Sequence, residues 1–186
     1  MTEPGSAEAS LARPDTLRLF FALWPDEVTR DALNRTGKWL HQHWGGRRMR
    51  ADTLHLTLSF LGDVPAARLD ALLQGIHDIP ADAFDLSFDQ TGHWPHNRIG
   101  WLGLSQPAQP LESLVLALRD QLRALDIPFD ARPYTPHITL LRKTQGGAAV
   151  ECLPVKWAVD GFVLVAANPQ ADGAHYDVLK KWPLTG

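Results

Sequence analysis

The chain is poor in several things that would have announced a function. It has one cysteine, Cys152, in 186 residues. That excludes an internal disulfide framework and any cysteine-based zinc cluster, and fits a reducing compartment. No apolar run approaches the roughly 18 residues that a membrane-spanning helix needs. The first fifteen residues lack a basic start followed by an apolar stretch, so a secretory signal is not expected. Basic residues do not outnumber acidic ones: 18 Lys and Arg stand against 21 Asp and Glu, for a net charge of −3. A protein that wraps long nucleic acid is usually basic overall, so a large footprint on one is not expected, whereas a small phosphorylated ligand or an RNA end remains compatible. Gly45-Gly46 and Gly146-Gly147 lack the context of a phosphate-cradling loop.

What is present is ordinary globular material, with 45% hydrophobic and 21% charged residues. Residues 1–16 hold few large apolar groups and read as a mobile tail, leaving 17–186 as one two-lobed domain. Leu17 to Trp24 is a short apolar run closed by Pro25, the pattern of a buried strand. Asp26 can cap a following helix with Val28, Leu33, Trp39 and Leu40 on its apolar side, ended by Gly45-Gly46. Leu54 to Leu61 alternates strictly and stops at Gly62. Pro65 to Ile76 reads as a helix, Phe84–Phe88 and Ile99–Leu104 as strands, and Gly92 to Asn97 as a loop. Pro110 to Leu125 repeats leucine at helical spacing. Pro136–Leu141, Val155–Val159, Gly161–Val165 and Tyr176–Trp182 read as strands. Helices and strands stop alternating regularly after the first third, which favours an α+β fold with antiparallel sheets.

One feature rises above this background. His55-Leu56-Thr57-Leu58 and His137-Ile138-Thr139-Leu140 are the same pattern, 82 residues apart. In each alternating strand the His and Thr share one face, about 7 Å apart, and the aliphatic residues take the other. A single strand histidine is usually a structural residue; two in matched contexts are harder to dismiss. Imidazole titrates near pH 6.5, so one ring can act as neutral base and the other as cationic acid. Threonine hydroxyls can donate to an anionic oxygen. Two such pairs make a cage for one phosphate and demand no metal. The chemistry that fits is in-line opening of a phosphodiester.

The paired motif resembles the signature of the 2H phosphoesterases. The surroundings resemble one branch, the bacterial RNA 2′,3′-cyclic phosphodiesterases, also called the 2′-5′ RNA ligase family. The residues that carry the likeness are Leu17 to Trp24, His55 to Gly62, Trp101-Leu102-Gly103-Leu104 and Pro136 to Arg142. The resemblance implies two pseudo-symmetric lobes, each an antiparallel sheet with helices packed outside, around an active-site cleft. It implies metal-independent hydrolysis of 2′,3′-cyclic phosphates on RNA ends or nucleotides to 2′-phosphates, without a cofactor. His55 is expected as proton donor, His137 as acceptor, and Thr57 and Thr139 as phosphate ligands. Reversible 2′-5′ ligation at the same site and a non-catalytic RNA-end or nucleotide-binding module stand as alternatives. A monomer in the cytoplasm is expected, with no membrane partner.

Phe60 and Arg142 each lie five residues after a motif histidine. In relatives the matching residues flank the nucleobase. Strict alternation points an odd offset away from the histidine face, so a bulge or a strand end would be needed. Arg47, Arg48 and Arg50 precede the first motif, and Arg132, Arg142 and Lys143 bracket the second, a clustering able to steer a polyanion. His41 with His43, and His93 with His96, lack the partners of a recognised metal site. Trp24, Trp39, Trp101 and Trp157 are expected to serve packing.

Overall fold

Strand β1 (Thr16–Leu23) runs antiparallel to β3 (Leu56–Pro65) and to β9 (Gly161–Gln170), which pairs in turn with β10 (Gly173–Pro183). The first sheet therefore has the order β10-β9-β1-β3. A second antiparallel sheet has the order β2-β7-β6-β5, from β2 (Arg47–Arg48), β7 (His137–Arg142), β6 (Ile99–Gly103) and β5 (Gln90–Trp94). A smaller ribbon joins β4 (Phe84–Phe88) to β8 (Val155–Val159). These elements come from a computed structural model, which describes residues 15–77, 79–170 and 173–185. Most of the tail expected over 1–16 lies outside the described residues, and Thr16 already belongs to β1. The α+β class with two antiparallel sheets is what the chain adopts.

Local chemistry explains the helices. Asp26 accepts a hydrogen bond from the Thr29 amide at 2.7 Å and caps α1 (Glu27–Trp44). Thr29, Leu33, Gly37, Leu40 and Trp44 form its buried stripe. Val28 points to solvent instead, because its neighbour Thr29 occupies the inward position. Gly45, at φ 62°, ends the helix, and its amide donates to the His41 carbonyl. The Pro65–Ile76 segment is only part α-helix: a short 3₁₀ turn precedes α2 (Leu69–Gly75). Helix α3 (Gln109–Ala124) buries Leu111, Leu114, Val115, Leu118 and Leu122.

The two long helices do not cover the sheet they leave. α1 follows β1 of the first sheet yet packs against β7 of the second, with Gly37 facing Leu140. α3 follows β6 of the second sheet yet packs against β3 of the first. One contiguous apolar core consequently runs through both sheets, from Leu19, Phe21 and Leu58 to Leu102, Ile138 and Leu141.

Two strands depart from the sequence reading. β3 does not stop at Gly62; that residue sits at φ 73° and the strand continues to Pro65. Leu19 pairs with Gly62 and Phe20 with Phe60, so Leu61 is an extra residue and the glycine absorbs the kink. Residues 92–94, expected in a loop, belong to β5 and pair with β6. Gly92 is needed there, because a Cβ would sit 2.0 Å from the Trp101 ring.

Candidate active site

The cleft faces of both sheets meet at a cavity of about 930 Å³. His55, Thr57 and Phe60 line it from the first sheet, and His137, Thr139 and Arg142 from the second. All six residues singled out in the sequence are thus brought to one place.

Phe60 and Arg142 reach the cleft through matched bulges. Phe21 pairs with Ser59 and Ala22 with Thr57, leaving Leu58 unpaired in β3. Gly100 pairs with Leu141 and Trp101 with Thr139, leaving Leu140 unpaired in β7. Each extra leucine is the third residue after a motif histidine. It reverses the alternation, so the residue five beyond the histidine returns to the histidine's face. The two halves therefore repeat the irregularity as well as the motif.

Each histidine is oriented in the same way. The Nδ1 of His55 lies 2.7 Å from the Thr53 carbonyl, and the Nδ1 of His137 lies 2.8 Å from the Thr135 carbonyl. A carbonyl oxygen only accepts, so both Nδ1 atoms carry hydrogen. In the neutral rings Nε2 is then the basic nitrogen.

The two rings differ in their surroundings. His55 is packed by Phe20 at 4.9 Å, by the stacked indole of Trp24 at 5.6 Å and by the edge of Tyr176 at 5.3 Å, between ring centroids. Burial pushes its pKa down to about 4; the Thr53 hydrogen bond opposes this, and the positive charges of His137 and Arg142 add to it. His137 has one aromatic neighbour, Trp94, edge-on at 4.5 Å. Burial lowers its pKa too, against the Thr135 hydrogen bond. With both rings neutral near pH 7, an anion entering the cleft would raise both affinities for protons.

Several residues of the site carried no sequence signal. Trp24 packs, as expected, against the small buried cluster of Phe20, Ala22, Val163 and Val165, and it also stacks on a motif histidine. Trp157 is buried in the core, while Trp39 and Trp101 are half-buried beside His43 and Trp94. The Tyr134 hydroxyl donates to the Thr57 carbonyl at 3.1 Å and ties the approach to the second motif to the first motif strand. Of the basic residues noted around the motifs, Arg132 and Arg142 line the cleft, joined by Arg18 and Arg119; Arg47, Arg48, Arg50 and Lys143 do not line it. His96 lines the cleft, whereas His93 packs against Trp44 and Gly146. Among the described residues no three His, Cys, Asp or Glu side chains gather into a metal-binding group. No helix among them is long and apolar enough to cross a membrane.

Comparison with known proteins agrees with this geometry. The model for the family "LigT like Phosphoesterase" matches twice, over residues 23–101 and 102–173, one match per motif. The RNA 2′,3′-cyclic phosphodiesterase of Escherichia coli is 36% identical over 174 residues, covering 90% of this chain and 97% of that protein. Its namesake in Thermus thermophilus is 31% identical, covering 91% of each. The crystal structure of E. coli LigT in apo form superposes with a TM-score of 0.81 at 34% identity, over 93% of this chain and all of that one. The same E. coli protein complexed with 3′-AMP gives a TM-score of 0.82 at 34% identity, over 92% and 99%. The chain belongs to the LigT-like phosphoesterase family.

Proposed function

We propose that the protein hydrolyses 2′,3′-cyclic phosphates, on RNA ends or free nucleotides, to 2′-phosphomonoesters by two-histidine acid–base catalysis. The activity is the one named for its relatives in E. coli and T. thermophilus. The observation that carries the mechanism is the matched pair of rings, each holding Nδ1–H on a backbone carbonyl, in one cleft with Thr57 and Thr139.

In this mechanism His137 accepts a proton from water at Nε2, and the water oxygen attacks phosphorus. The bond from phosphorus to the 3′ oxygen breaks, and His55 gives that oxygen its Nε2 proton. Each transfer supplies on the order of 10²–10⁴ in rate. Thr57 and Thr139 donate hydrogen bonds to the phosphate oxygens. The phosphate charge raises the pKa of His55, which burial among the aromatic rings otherwise holds too low for a proton donor at neutral pH. Phe60 and Arg142 flank the base. No metal or cofactor takes part, and the protein works as a monomer in the cytoplasm.

The test is phosphorus NMR of a 2′,3′-cyclic nucleotide with the protein in EDTA. Conversion to the 2′-monophosphate is expected, with a loss of about 10²-fold or more in His55→Ala and in His137→Ala. Turnover retained by both variants would end the two-histidine mechanism.

A further inference from the structure

Beyond Phe60 the cleft turns cationic. The Arg18 guanidinium lies over the Phe60 ring, 5.0 Å from its centroid. The Asp130 amide donates to the Phe60 carbonyl at 2.8 Å, and the Arg119 guanidinium donates to the carbonyls of Asp130 and Arg132. The described residues lining the cleft include four arginines and one carboxylate, Asp130, although the whole chain carries a net charge of −3. Asp63, which does not line the cleft, lies 3.6 Å from the Arg18 guanidinium, and Asp130 pairs with Arg132. The Asp130 carboxylate grips Arg132 from Nε, at 2.9 Å, and from the terminal nitrogen, leaving an 85% exposed side chain held in place. Arg119 forms no ion pair with a described acidic residue. A cavity of about 930 Å³ is also at the upper end of small-ligand sites.

A substrate whose cyclic phosphate sits between the histidines and whose base lies against Phe60 has one further anionic group within a nucleotide's reach. That group is the phosphodiester on its 5′ side, and a free cyclic mononucleotide lacks it. We propose that Arg18, Arg119 and Arg132 form a subsite for this phosphodiester, so that the preferred substrate is an oligoribonucleotide end. The inference rests on the cyclic phosphodiesterase reading and adds substrate choice to it. Guanidiniums suit the task because their forked donors match two phosphate oxygens.

The experiment compares a 2′,3′-cyclic mononucleotide with a cyclic-ended dinucleotide, which differs by one phosphodiester and one nucleoside. Both are assayed over a range of salt, with wild type, with the Arg18→Gln/Arg132→Gln double variant and with the corresponding double lysine variant. Wild type is expected to favour the dinucleotide about tenfold in kcat/KM at low salt, the effect of one charge-assisted hydrogen bond. The logarithm of kcat/KM is expected to fall more steeply with log salt for the dinucleotide, by about 0.7 for the one added phosphate contact. The glutamine variant should lose both the preference and the extra slope, and the lysine variant should recover part of each. Equal efficiency on the two substrates, or a preference unchanged in the glutamine variant, overturns the subsite alone. If neither substrate is cleaved, the phosphodiesterase reading falls and takes the subsite with it.

Discussion

Trp24 sits between two solvent-facing spaces, and removing it should change the acidity of His55. Its indole stacks on the His55 ring, and it also lines a separate groove of about 300 Å³ with Asp26 and Lys181. Truncation in Trp24→Ala would join that groove to the ring and hydrate one face of it. The pKa of about 4 is some 2.5 below the ordinary value of 6.5, a difference of about 3 kcal/mol between protonation states. Burial is the leading cause, and three aromatic rings share the burial. Removing one of the three should return about a third of the effect, about 1 kcal/mol, and raise the His55 pKa by about 0.7. Following the ring by ¹H–¹⁵N NMR from pH 3 to pH 8 in both proteins measures it directly, with the His137 ring as an internal reference. The opposing force is cation–π attraction, which would make the indole favour the charged ring. A His55 pKa that stays put or falls in the variant would refute the desolvation account and assign the indole that second role.

Two more expectations follow from the same geometry. As pH drops, the unfolded chain protonates His55 near 6.5 while the folded chain resists until about 4, so stability should be unaffected by this group above pH 7 and fall by up to about 3 kcal/mol as pH 4 is reached; His55→Asn, whose amide can still donate to the Thr53 carbonyl, should flatten that decline in thermal melts at pH 7 and pH 4.5, and an equally steep decline would contradict it. Tyr134→Phe removes the hydroxyl from the Thr57 carbonyl and should cost about 1 kcal/mol of stability; because the bond ties the two motif segments together, kcat should fall severalfold with KM little changed, and a pure loss of stability with normal kcat would reduce Tyr134 to a structural part.

The sequence made the two motifs legible because alternation over His55–Leu58 and His137–Leu140 needs only local geometry. It could not show where the alternation breaks. Leu58 and Leu140 look like any inward leucine, and only the register against β1 and β6 reveals them as extra residues. That is why the cleft positions of Phe60 and Arg142 required a bulge to be assumed. The aromatic pocket around His55 was hidden for a different reason. Leu19 to Trp24 is apolar throughout, so periodicity cannot separate the main-core face of Leu19, Phe21 and Leu23 from the opposite face, where Phe20 and Trp24 pack against His55. β5 was missed because Gly92 reads as a loop residue until the Trp101 ring above it is seen. Tyr134 acts through the Thr57 carbonyl far away in the chain, and Arg119 through the carbonyls of Asp130 and Arg132 in the segment after its own helix, contacts that no periodic pattern encodes.

The exchange of helices between the sheets bears on how such a protein could have arisen by doubling. Each half leaves the back of its own sheet for a helix of the other to cover, α1 over β7 and α3 over β3. A lone ancestral half would have shown that apolar back to water, and two copies of it trading helices would have hidden both. Fusing the copies into one chain keeps the trade and frees each to diverge, so that one histidine can be wrapped in three aromatic rings while its twin meets the edge of Trp94.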